Sequence, residues 1–390
     1  MTAKQHTSTE ALVIGGGLHG CSVALHLRLR GVAVTVVEKD APGRHASGVN
    51  AGGVRRLNRD VSEIPLSLAS LEIWRDLPEL IGDDGGFQAT GQVRIAETDA
   101  EMKVLSDRVE HLRTLGYDHE ELIDKQELRS LVPACASHCV GGVVCRADGF
   151  ADPYRTTTAF YRAAQAKGAI FHVGDAVSTL ARNGARWRVE TPNRTIDADI
   201  VVNCAGAWAD RVATMVDDTA PISPVALMMM VTAPMKPFLK PVIGMVGRKL
   251  SFKQAANGSV VIGGGYRGVA HRDDNTTTLD PSGMAASART VVSAFPHMAN
   301  ARLARAWAGI EAFTPDGIPI IGPSTASENV YHAFGFCGHG FQLGPAVGRT
   351  LAELIVTGRT NLSLDAFSIH RFDQNARVNQ STRLDQNTGA

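Results

Sequence analysis

The sequence predicts an α/β protein in which a parallel sheet is interleaved with an α+β part built on antiparallel strands. Three observations predict this class. The chain opens with a strand, a glycine-rich turn, a helix and a second strand over residues 10–39, the order of a parallel βαβ unit. Apolar strands with adjoining helices recur at residues 153–173 and 330–356. Between them lie short strands with a hairpin signal at residues 256–258, which favours an antiparallel sheet.

Composition excludes several classes of protein. At 390 residues the chain exceeds one average domain, and 44% hydrophobic with 20% charged residues is typical of a globular protein. Lys+Arg and Asp+Glu both number 39, so no net charge attracts nucleic acid or an anionic membrane. The apolar run at residues 225–231 is far shorter than the roughly 18 residues of a membrane span. The run at residues 11–14 is too short for a signal peptide. We therefore expect a cytoplasmic protein without a membrane span or a nucleic-acid partner.

The six cysteines include no CxxC pair. Cys135, Cys139 and Cys145 fall within eleven residues, which raises the question of an iron–sulfur or zinc site. Their spacing fits no common metal pattern. We expect reduced, structural thiols and no metal, and the role of the cluster stays open.

The first informative motif is a dinucleotide-binding turn. An apolar strand runs into Gly15-Gly16-Gly17-Leu18-His19-Gly20, a G-x-G-x-x-G, and a helix and a second strand follow, ending at Glu38. Gly15 permits the tight turn, Gly17 lets the backbone approach a pyrophosphate, and Gly20 lets helix and strand pack closely. Glu38 stands where a carboxylate accepts hydrogen bonds from ribose hydroxyls. This order of elements predicts a Rossmann-like domain.

Three other segments favour FAD over NAD. A polar, glycine-dense loop at residues 44–56 follows the second strand, where NAD-binding folds usually continue with another βα unit. The third parallel strand, at residues 169–173, and the helix before it, at residues 153–167, follow only after a long insertion. The strand at residues 200–208 ends in small residues, which leaves room for a cofactor at the carboxyl edge of a parallel sheet.

The last third of the chain completes the predicted cofactor site. Residues 307–322 precede a strand at 330–334, and the glycine-rich segment 335–344 leads to a helix predicted from Pro345 to about residue 356, with Gly358 as its stop. We expect the amides at this helix N-terminus to face the pyrimidine end of the flavin, where reduction places negative charge.

The remaining segments are predicted to form a substrate-binding cap. Strands are expected at residues 91–96, 141–145, 225–231, 249–252 and 259–263, with a charged helix at 99–115. The predicted division is a discontinuous FAD-binding domain at 8–85, 147–213 and 301–370, a substrate or cap domain at 86–146 and 214–300, and a polar C-terminal tail at 371–390.

These motifs together resemble the D-amino acid oxidase superfamily. The motifs on which the resemblance rests follow one another in the same order over about residues 10–360: GGGLHG, Glu38, ASGVNAGG, VVNCAGAWA, TPDGIPIIG and GFCGHGFQLGPAVG. The chain is most similar to the sarcosine oxidase and glycine oxidase branch. That branch includes the β-type flavin subunits of sarcosine oxidases and of opine or D-hydroxyproline dehydrogenases.

The resemblance implies a set of FAD contacts. They are Gly15, Gly17, Leu18, His19, Gly20, Glu38, Lys39, Ser47, Gly48, Asn50, Ala51, Gly52, Val177, Ala205, Gly206, Gly338, His339, Gly340, Phe341 and Gln342. Some relatives attach flavin through a cysteine just before the TPD segment. Residues 306–312 contain no cysteine, so we expect FAD to be bound non-covalently.

Amine oxidation requires a neutral amine whose carbon is held near flavin N5, and its main demand on the protein is a clamp for the substrate carboxylate. The branch commonly carries this anchor in the flavin-side loop, which here holds Arg55 and Arg56. One of the two is expected to be the clamp, the alternative being that both pair with FAD phosphates. Tyr266 is a further candidate for the substrate pocket or else a core residue. His339 either contacts the flavin pyrimidine edge or serves as a spacer between glycines.

Two departures from the resemblance bear on the reaction. Single-chain sarcosine oxidases have a lysine where this chain has Gln342, so a different substrate shape is expected. They also carry an oxygen-activating lysine before a Gly-Tyr pair, and residues 261–266 contain no lysine. Without a cation near flavin N5 the reduced oxygen is poorly stabilised, so this departure favours a dehydrogenase over an oxidase.

The leading hypothesis is therefore an FAD-dependent dehydrogenase of a small carboxylate-bearing amine: a D-amino acid, hydroxyproline, sarcosine or an opine. It is expected to be the catalytic subunit of a complex whose small partner carries an iron–sulfur cluster. The alternatives are a free-standing oxidase that makes hydrogen peroxide and a non-catalytic flavoprotein that acts in assembly.

Overall fold

The computed structural model of the chain describes residues 4–372 and contains two large sheets. Five parallel strands in the order β20-β11-β1-β2-β8 form the centre of the first sheet. Strand β19 pairs antiparallel with β20, and β10 and β9 extend antiparallel from β11. Numbered in chain order, these strands are β1 Gln5–Ile14, β2 Val34–Glu38, β8 Ile170–Val173, β9 Thr179–Asn183, β10 Arg186–Glu190, β11 Arg194–Asn203, β19 Ile320–Pro323 and β20 Val330–Phe334.

The second sheet has ten strands, all paired antiparallel except β4 with β13. Its strands are β4 Gln92–Ala96, β5 Glu121–Asp124, β6 Gly141–Cys145, β12 Ser223–Thr232, β13 Val242–Met245, β14 Ser251–Gln254, β15 Val260–Gly263, β16 Arg267–His271, β17 Thr276–Thr278 and β18 Leu303–Phe313. A short ribbon of β3 Gly53–Val54 and β7 Gly149–Phe150 lies outside both sheets.

Ten α-helices connect the strands within the described residues. They are α1 Leu18–Arg28, α2 Ala46–Val49, α3 Ile64–Arg75, α4 Leu77–Ile81, α5 Asp99–Thr114, α6 Lys125–Leu131, α7 Pro153–Ala166, α8 Ala209–Thr214, α9 Pro281–Ala294 and α10 Gly340–Thr357. Among residues 4–372, no helix combines the length and the apolar character that crossing a membrane requires.

Continuous apolar runs determine the centre of the first sheet. All five side chains of β2 and the last four of β1 are buried, as expected for parallel strands covered on both faces. The largest hydrophobic cluster joins this sheet to α1, α3, α7 and α10. A second cluster lies under the second sheet and includes Phe252 and Phe295, whose rings stack 4.7 Å apart. The α/β fold with an α+β second part is therefore confirmed.

Helix α10 begins five residues earlier than the sequence predicts, at Gly340, so that Pro345 lies inside the helix. The residue before a proline normally avoids helical conformation because its Cβ meets the proline ring. Here that residue is Gly344, which has no Cβ, and the helix passes through. Gly358 ends the helix with φ 72°, as predicted.

The domain division remains a prediction, and one of its boundaries crosses a sheet. Strand β18 pairs with β12 along its length in the second sheet, whereas the predicted boundary puts residue 301 onward in the FAD-binding domain. Of the predicted tail at 371–390, residues 373–390 lie outside the described residues. Arg371 forms an ion pair with Asp316, and Phe372 is buried, so these two residues belong to the folded part.

Candidate cofactor and substrate site

An elongated cavity of about 470 Å³ lies where the parallel strands end. Ile14 of β1, Glu38 of β2, Phe334 of β20 and Ala205 after β11 line it. Its far wall is residues 310–312 of β18, so both sheets contribute to the cavity. Carboxyl ends of parallel strands are where α/β folds bind their ligands.

The glycine turn between β1 and α1 permits close backbone contacts that no side chain would allow. Gly15 has φ +108°, and a Cβ there would lie 2.4 Å from the carbonyl oxygen of Cys204. A Cβ on Gly20 would lie 1.9 Å from the carbonyl oxygen of Gly15. Leu18 donates its N–H to the Ser47 hydroxyl at 2.9 Å. The turn thereby brings the N-terminus of α1, with its positive dipole end, to the cavity wall.

Glu38 is held at the cavity wall by two backbone donors. Its Oε2 accepts the N–H of Gly16 at 2.6 Å, and its Oε1 accepts the N–H of Asp40 at 2.8 Å. The side chain is buried, and this burial raises the pKa of its carboxyl although both hydrogen bonds oppose the shift. The carboxylate therefore orders the glycine turn as well as facing the cavity.

The same end of the cavity carries a polar cluster around Lys39. The Nζ of Lys39 lies 3.7 Å from the ring centroid of Trp208 and donates to Asp40 at 2.6 Å and to Asn275 at 2.5 Å. Asp40 also hydrogen-bonds His45 at 2.7 Å. These contacts connect the β2 end to the loop after β16 and close this end of the cavity.

The opposite end of the cavity adjoins the N-terminus of α10. His19 stacks on Phe336 with centroids 3.7 Å apart, and a Cβ on Gly340 would lie only 2.8 Å from His19. Burial lowers the pKa of His19 to about 3, so its imidazole is neutral at pH 7. A neutral ring and a helix N-terminus suit the electron-rich edge of a flavin.

The structure places many of the predicted FAD contacts around this cavity. Those that line it are Gly15, Gly17, Leu18, His19, Glu38, Lys39, Ser47, Asn50, Val177, Ala205, Gly206, Gly338, Gly340 and Phe341. Gly20, Gly48, Ala51, Gly52, His339 and Gln342 are outside the lining. The individual contacts remain predictions. A long cavity with a carboxylate at one end and two helix N-termini along it fits FAD.

Gln342 faces away from the cavity, toward α3. It is fully buried, its Oε1 accepts from Arg59 and Ser67 at 3.0 Å each, and its Nε2 donates to the carbonyl of Ser67 at 2.8 Å. Trp74 donates to its backbone carbonyl at 2.8 Å. Where the resemblance has a substrate-facing lysine, this chain therefore has a residue that fixes α10 to α3.

The two candidate clamp arginines have different surroundings. Arg56 forms an ion pair with the buried carboxylate of Asp148 at 3.1 Å, and its backbone N–H also donates to that carboxylate at 2.8 Å. Arg55 donates to the carbonyl of Leu57 at 2.6 Å and has no ion-pair partner among residues 4–372. Burial lowers the pKa of Arg55. Of these two arginines, Arg55 is therefore the one without a direct ion pair, although the negative charges of Glu63 and Asp148 act on it.

A buried acid that the sequence patterns do not reveal lies beside His339. The Oε2 of Glu63 lies 3.3 Å from His339 Nδ1, and its Oε1 lies 3.7 Å from Arg59. Burial would raise the pKa of Glu63, but His339, Arg59 and Arg55 together lower it. Burial lowers the pKa of His339 to about 4, and the positive charges of Arg55 and Arg59 add to this effect. Because Glu63 precedes a helix far from residue 339 in sequence, no local pattern indicates the pair.

A buried lysine stands next to the strand in which the sequence has none. Lys253 on β14 lies opposite Val261 on β15, and its Nζ is 2.9 Å from the position that a Cβ on Gly52 would take. Its polar contact is the carbonyl of Ala151 at 3.5 Å, and burial lowers its pKa to about 8. The lack of lysine in residues 261–266 therefore does not leave this face of the sheet without a cation.

Tyr266 lies outside the cavity lining. Its carbonyl accepts the N–H of Met228 at 3.0 Å, and Lys249 Nζ is 5.6 Å from its ring centroid. Its substrate-facing role remains a prediction.

Of the three clustered cysteines, Cys135 and Cys139 hydrogen-bond each other. Cys145 lies beside Arg56 at 3.0 Å, whereas Cys139 adjoins Glu97 and His138, with donor atoms within 4.8 Å of one another. Glu97 is already engaged by Arg248 at 2.7 Å and by His138 at 2.7 Å. All six cysteines are buried and unpaired.

A cavity between the carboxyl ends of a Rossmann-like sheet and an antiparallel sheet is typical of a flavin-dependent oxidoreductase. Comparison with known families identifies which one: the chain belongs to the DAO family of FAD-dependent oxidoreductases, whose profile matches residues 10–354. The superfamily expected from the motifs is confirmed, and so are enzymatic function and FAD as the cofactor.

Several relatives match nearly the whole chain. A subunit of the opine oxidase of Rhizobium meliloti is 27% identical over 93% of this chain and 97% of its own length. The beta subunit of the sarcosine oxidase of Rhizobium meliloti (strain 1021) is 26% identical, over 95% and 90% respectively. Among solved structures, L-proline dehydrogenase from P. horikoshii superposes with a TM-score of 0.88 at 30% identity, covering 95% of this chain and 99% of that one.

Glu38→Ala should weaken FAD binding at least tenfold. The change removes a charged acceptor of ribose hydroxyls, worth roughly 1.5–3 kcal/mol, and releases the N–H of Gly16. The measurement is quenching of FAD fluorescence on titration into apoprotein. Glu10→Ala is the matched control, since Glu10 also accepts a backbone N–H, from Ala33, but outside the cavity lining. An unchanged dissociation constant in Glu38→Ala would remove Glu38 from the site.

FAD should leave the protein on acid precipitation. Cys204 lines the cavity, but burial raises the pKa of its thiol to about 12, so it stays protonated and is a poor nucleophile. The supernatant should therefore be yellow and contain FAD by chromatography. Colour that stays in the washed pellet would show a covalent link.

Proposed function

We propose that this enzyme oxidises the C–N bond of a small amino acid or secondary amine as the catalytic subunit of a dehydrogenase complex. When bound, FAD accepts the hydride that leaves the carbon next to nitrogen. The observation that carries the proposal is Arg55, a half-buried guanidinium with no direct ion pair among residues 4–372, whose charge acts on His339 beside the start of α10.

In this account Arg55 binds the substrate carboxylate with its two-pronged guanidinium. The carboxylate supplies the direct ion-pair partner that Arg55 lacks among residues 4–372, which makes its binding favourable in a site shielded from water. Glu63 and Arg59 hold His339 and Gln342 in place beside it. The named relatives act on opines, sarcosine and proline, which are all amino or imino acids with a carboxylate.

Two further features bear on the partner subunits and the cellular compartment of the enzyme. The opine oxidase and sarcosine oxidase relatives are each one subunit of a larger enzyme, which favours an assembly with other chains. For that assembly we propose an electron-transfer subunit with an iron–sulfur cluster. The six unpaired cysteines suit a reducing compartment, so we place the enzyme in the cytoplasm.

A free-standing oxidase is the second candidate, and Lys253 is the observation that favours it. Lys253, a buried cation with no ion pair among residues 4–372, can stabilise the negative charge that oxygen acquires on reduction. The acceptor of the electrons is thus a question for measurement.

The test is anaerobic mixing of the FAD-loaded protein with sarcosine, proline, hydroxyproline, D-amino acids and opines. At least one should bleach the flavin absorbance, and oxygen uptake under the same turnover conditions should be slow compared with reduction of an artificial acceptor dye. Fast oxygen uptake with peroxide formation would favour the oxidase. If no amine bleaches the flavin, the proposed substrate class is wrong.

Arg55→Lys should lower kcat/KM for anaerobic flavin reduction about a hundredfold, as expected for losing roughly 3 kcal/mol from a buried charge pair. Arg56→Lys is the matched control, because Arg56 is committed to Asp148 and its change should spare half-saturation. FAD content is verified in both variants. Equal losses in the two variants, or none in either, would mean that the carboxylate is bound elsewhere, with Arg267 the next residue to examine.

A further inference from the structure

A carboxylate outside the predicted site residues points into the cofactor cavity. Residues Trp307, Gly309 and Glu311 alternate along β18 and therefore share one face of the second sheet. Trp307 donates its indole N–H to the carbonyl of Val49 at 2.8 Å, and a Cβ on Gly309 would lie 2.5 Å from the Val49 side chain. This face thus lies against α2, and Glu311 lines the cavity.

Glu311 has no counter-charge in the described part of the chain. Its contact is the backbone N–H of Gly338, and no ion pair reaches it among residues 4–372. The elements with the most contacts to this stretch are β12, β17, α2 and residues 206–208, which carry no ionisable side chain. The Cys337 thiol faces Glu311, and the Arg267 guanidinium lies 4.6 Å from the ring centroid of Phe313, two residues further along the strand. Burial raises the pKa of Glu311 to about 7.

An isolated carboxylate is costly to bury, so its natural partner is a cation that enters the cavity. Glu311 lies next to Gly338, whereas Arg55 acts on the adjacent residue, His339. Glu311 therefore lines the cavity beside Gly338, and the positive charge of Arg55, which is outside the cavity lining, acts on the next residue along the chain. An α-amino acid carries one group for each of these two charges, an ammonium group and a carboxylate on the same carbon atom.

We propose that Glu311 binds the amine nitrogen of the substrate and accepts its proton. The ammonium N–H bond breaks, the proton moves to a carboxylate oxygen of Glu311, and the nitrogen keeps its electron pair as the neutral amine that oxidation requires. This inference rests on the proposed function and deepens it. The site selects α-amino and α-imino acids over carboxylates that lack nitrogen.

The direct test compares two ligands that cannot reduce the flavin. 2-Aminoisobutyrate and pivalate differ only by an ammonium group in place of a methyl group, and neither has hydrogen on the carbon that would be oxidised. Each is titrated into the FAD-loaded protein and followed by the change in flavin absorbance. The unaltered protein should bind 2-aminoisobutyrate at least tenfold more tightly at pH 8, and the preference should shrink below pH 7 as Glu311 becomes protonated.

Glu311→Gln should abolish that preference while keeping an oxygen that accepts the N–H of Gly338. Glu72→Gln, an exposed glutamate on α3, is the matched control and should behave as the unaltered protein does. A second measurement needs no ligand: the absorbance of bound FAD should titrate near pH 7 in the unaltered protein and not in Glu311→Gln.

An equal preference in both proteins, or none in the unaltered protein, would overturn the proposal. A flavin titration that survives in Glu311→Gln would do the same. These results are separate from the amine panel: a chain that prefers the amino ligand but is bleached by no amine would retain this site and lose the proposed function.

Discussion

The contact between the backbone of the first turn and the strand beside it is the constraint on which the rest of the site depends. Gly15 passes so close to Cys204 that only glycine fits, and Gly20 lies against the carbonyl of Gly15. These approaches bring the N-terminus of α1 to the ends of β1 and β11. Helix α10 then packs on α1 equally closely, since a Cβ on Gly348 would lie 2.1 Å from the Ser22 hydroxyl oxygen. Two helix N-termini thereby converge on one cavity.

The distribution of buried charge separates structural groups from functional ones. Asp148 is neutralised by Arg56, and Glu120 by Arg108 at 2.8 Å, so these pairs hold loops together. Arg55 and Glu311 have no such partners among residues 4–372. Isolated buried charges are expensive in a folded protein and persist where a ligand completes them. In the proposed account, the substrate supplies the partners that Arg55 and Glu311 lack.

Local sequence patterns could predict the elements that depend on neighbours in the chain. The G-x-G-x-x-G turn, Glu38 at the end of β2 and the hairpin between β14 and β15 follow from such patterns, and the structure contains all three. Non-local pairing determines the rest. Glu311 faces the cavity because β18 joins β12 in the second sheet, and Lys253 faces Gly52 because of the register with β15. No residue spacing within either segment indicates which strand or residue it pairs with.

The start of α10 is also not predicted correctly from the local sequence. Pro345 is a common signal for a helix start, so the sequence predicts the start there. The glycine before it and the anchoring of Gln342 to Ser67 allow the helix to begin at Gly340. That extra turn brings Gly340 and Phe341 to the cavity wall.

A crystal structure of the FAD complex tests the central claim most directly. We expect the adenosine ribose on Glu38 and the isoalloxazine ring at the other end of the cavity, bordered by Glu311 and by the start of α10. A flavin ring bound instead beside Lys39 and Trp208, or a ring remote from both Arg55 and Glu311, would contradict it.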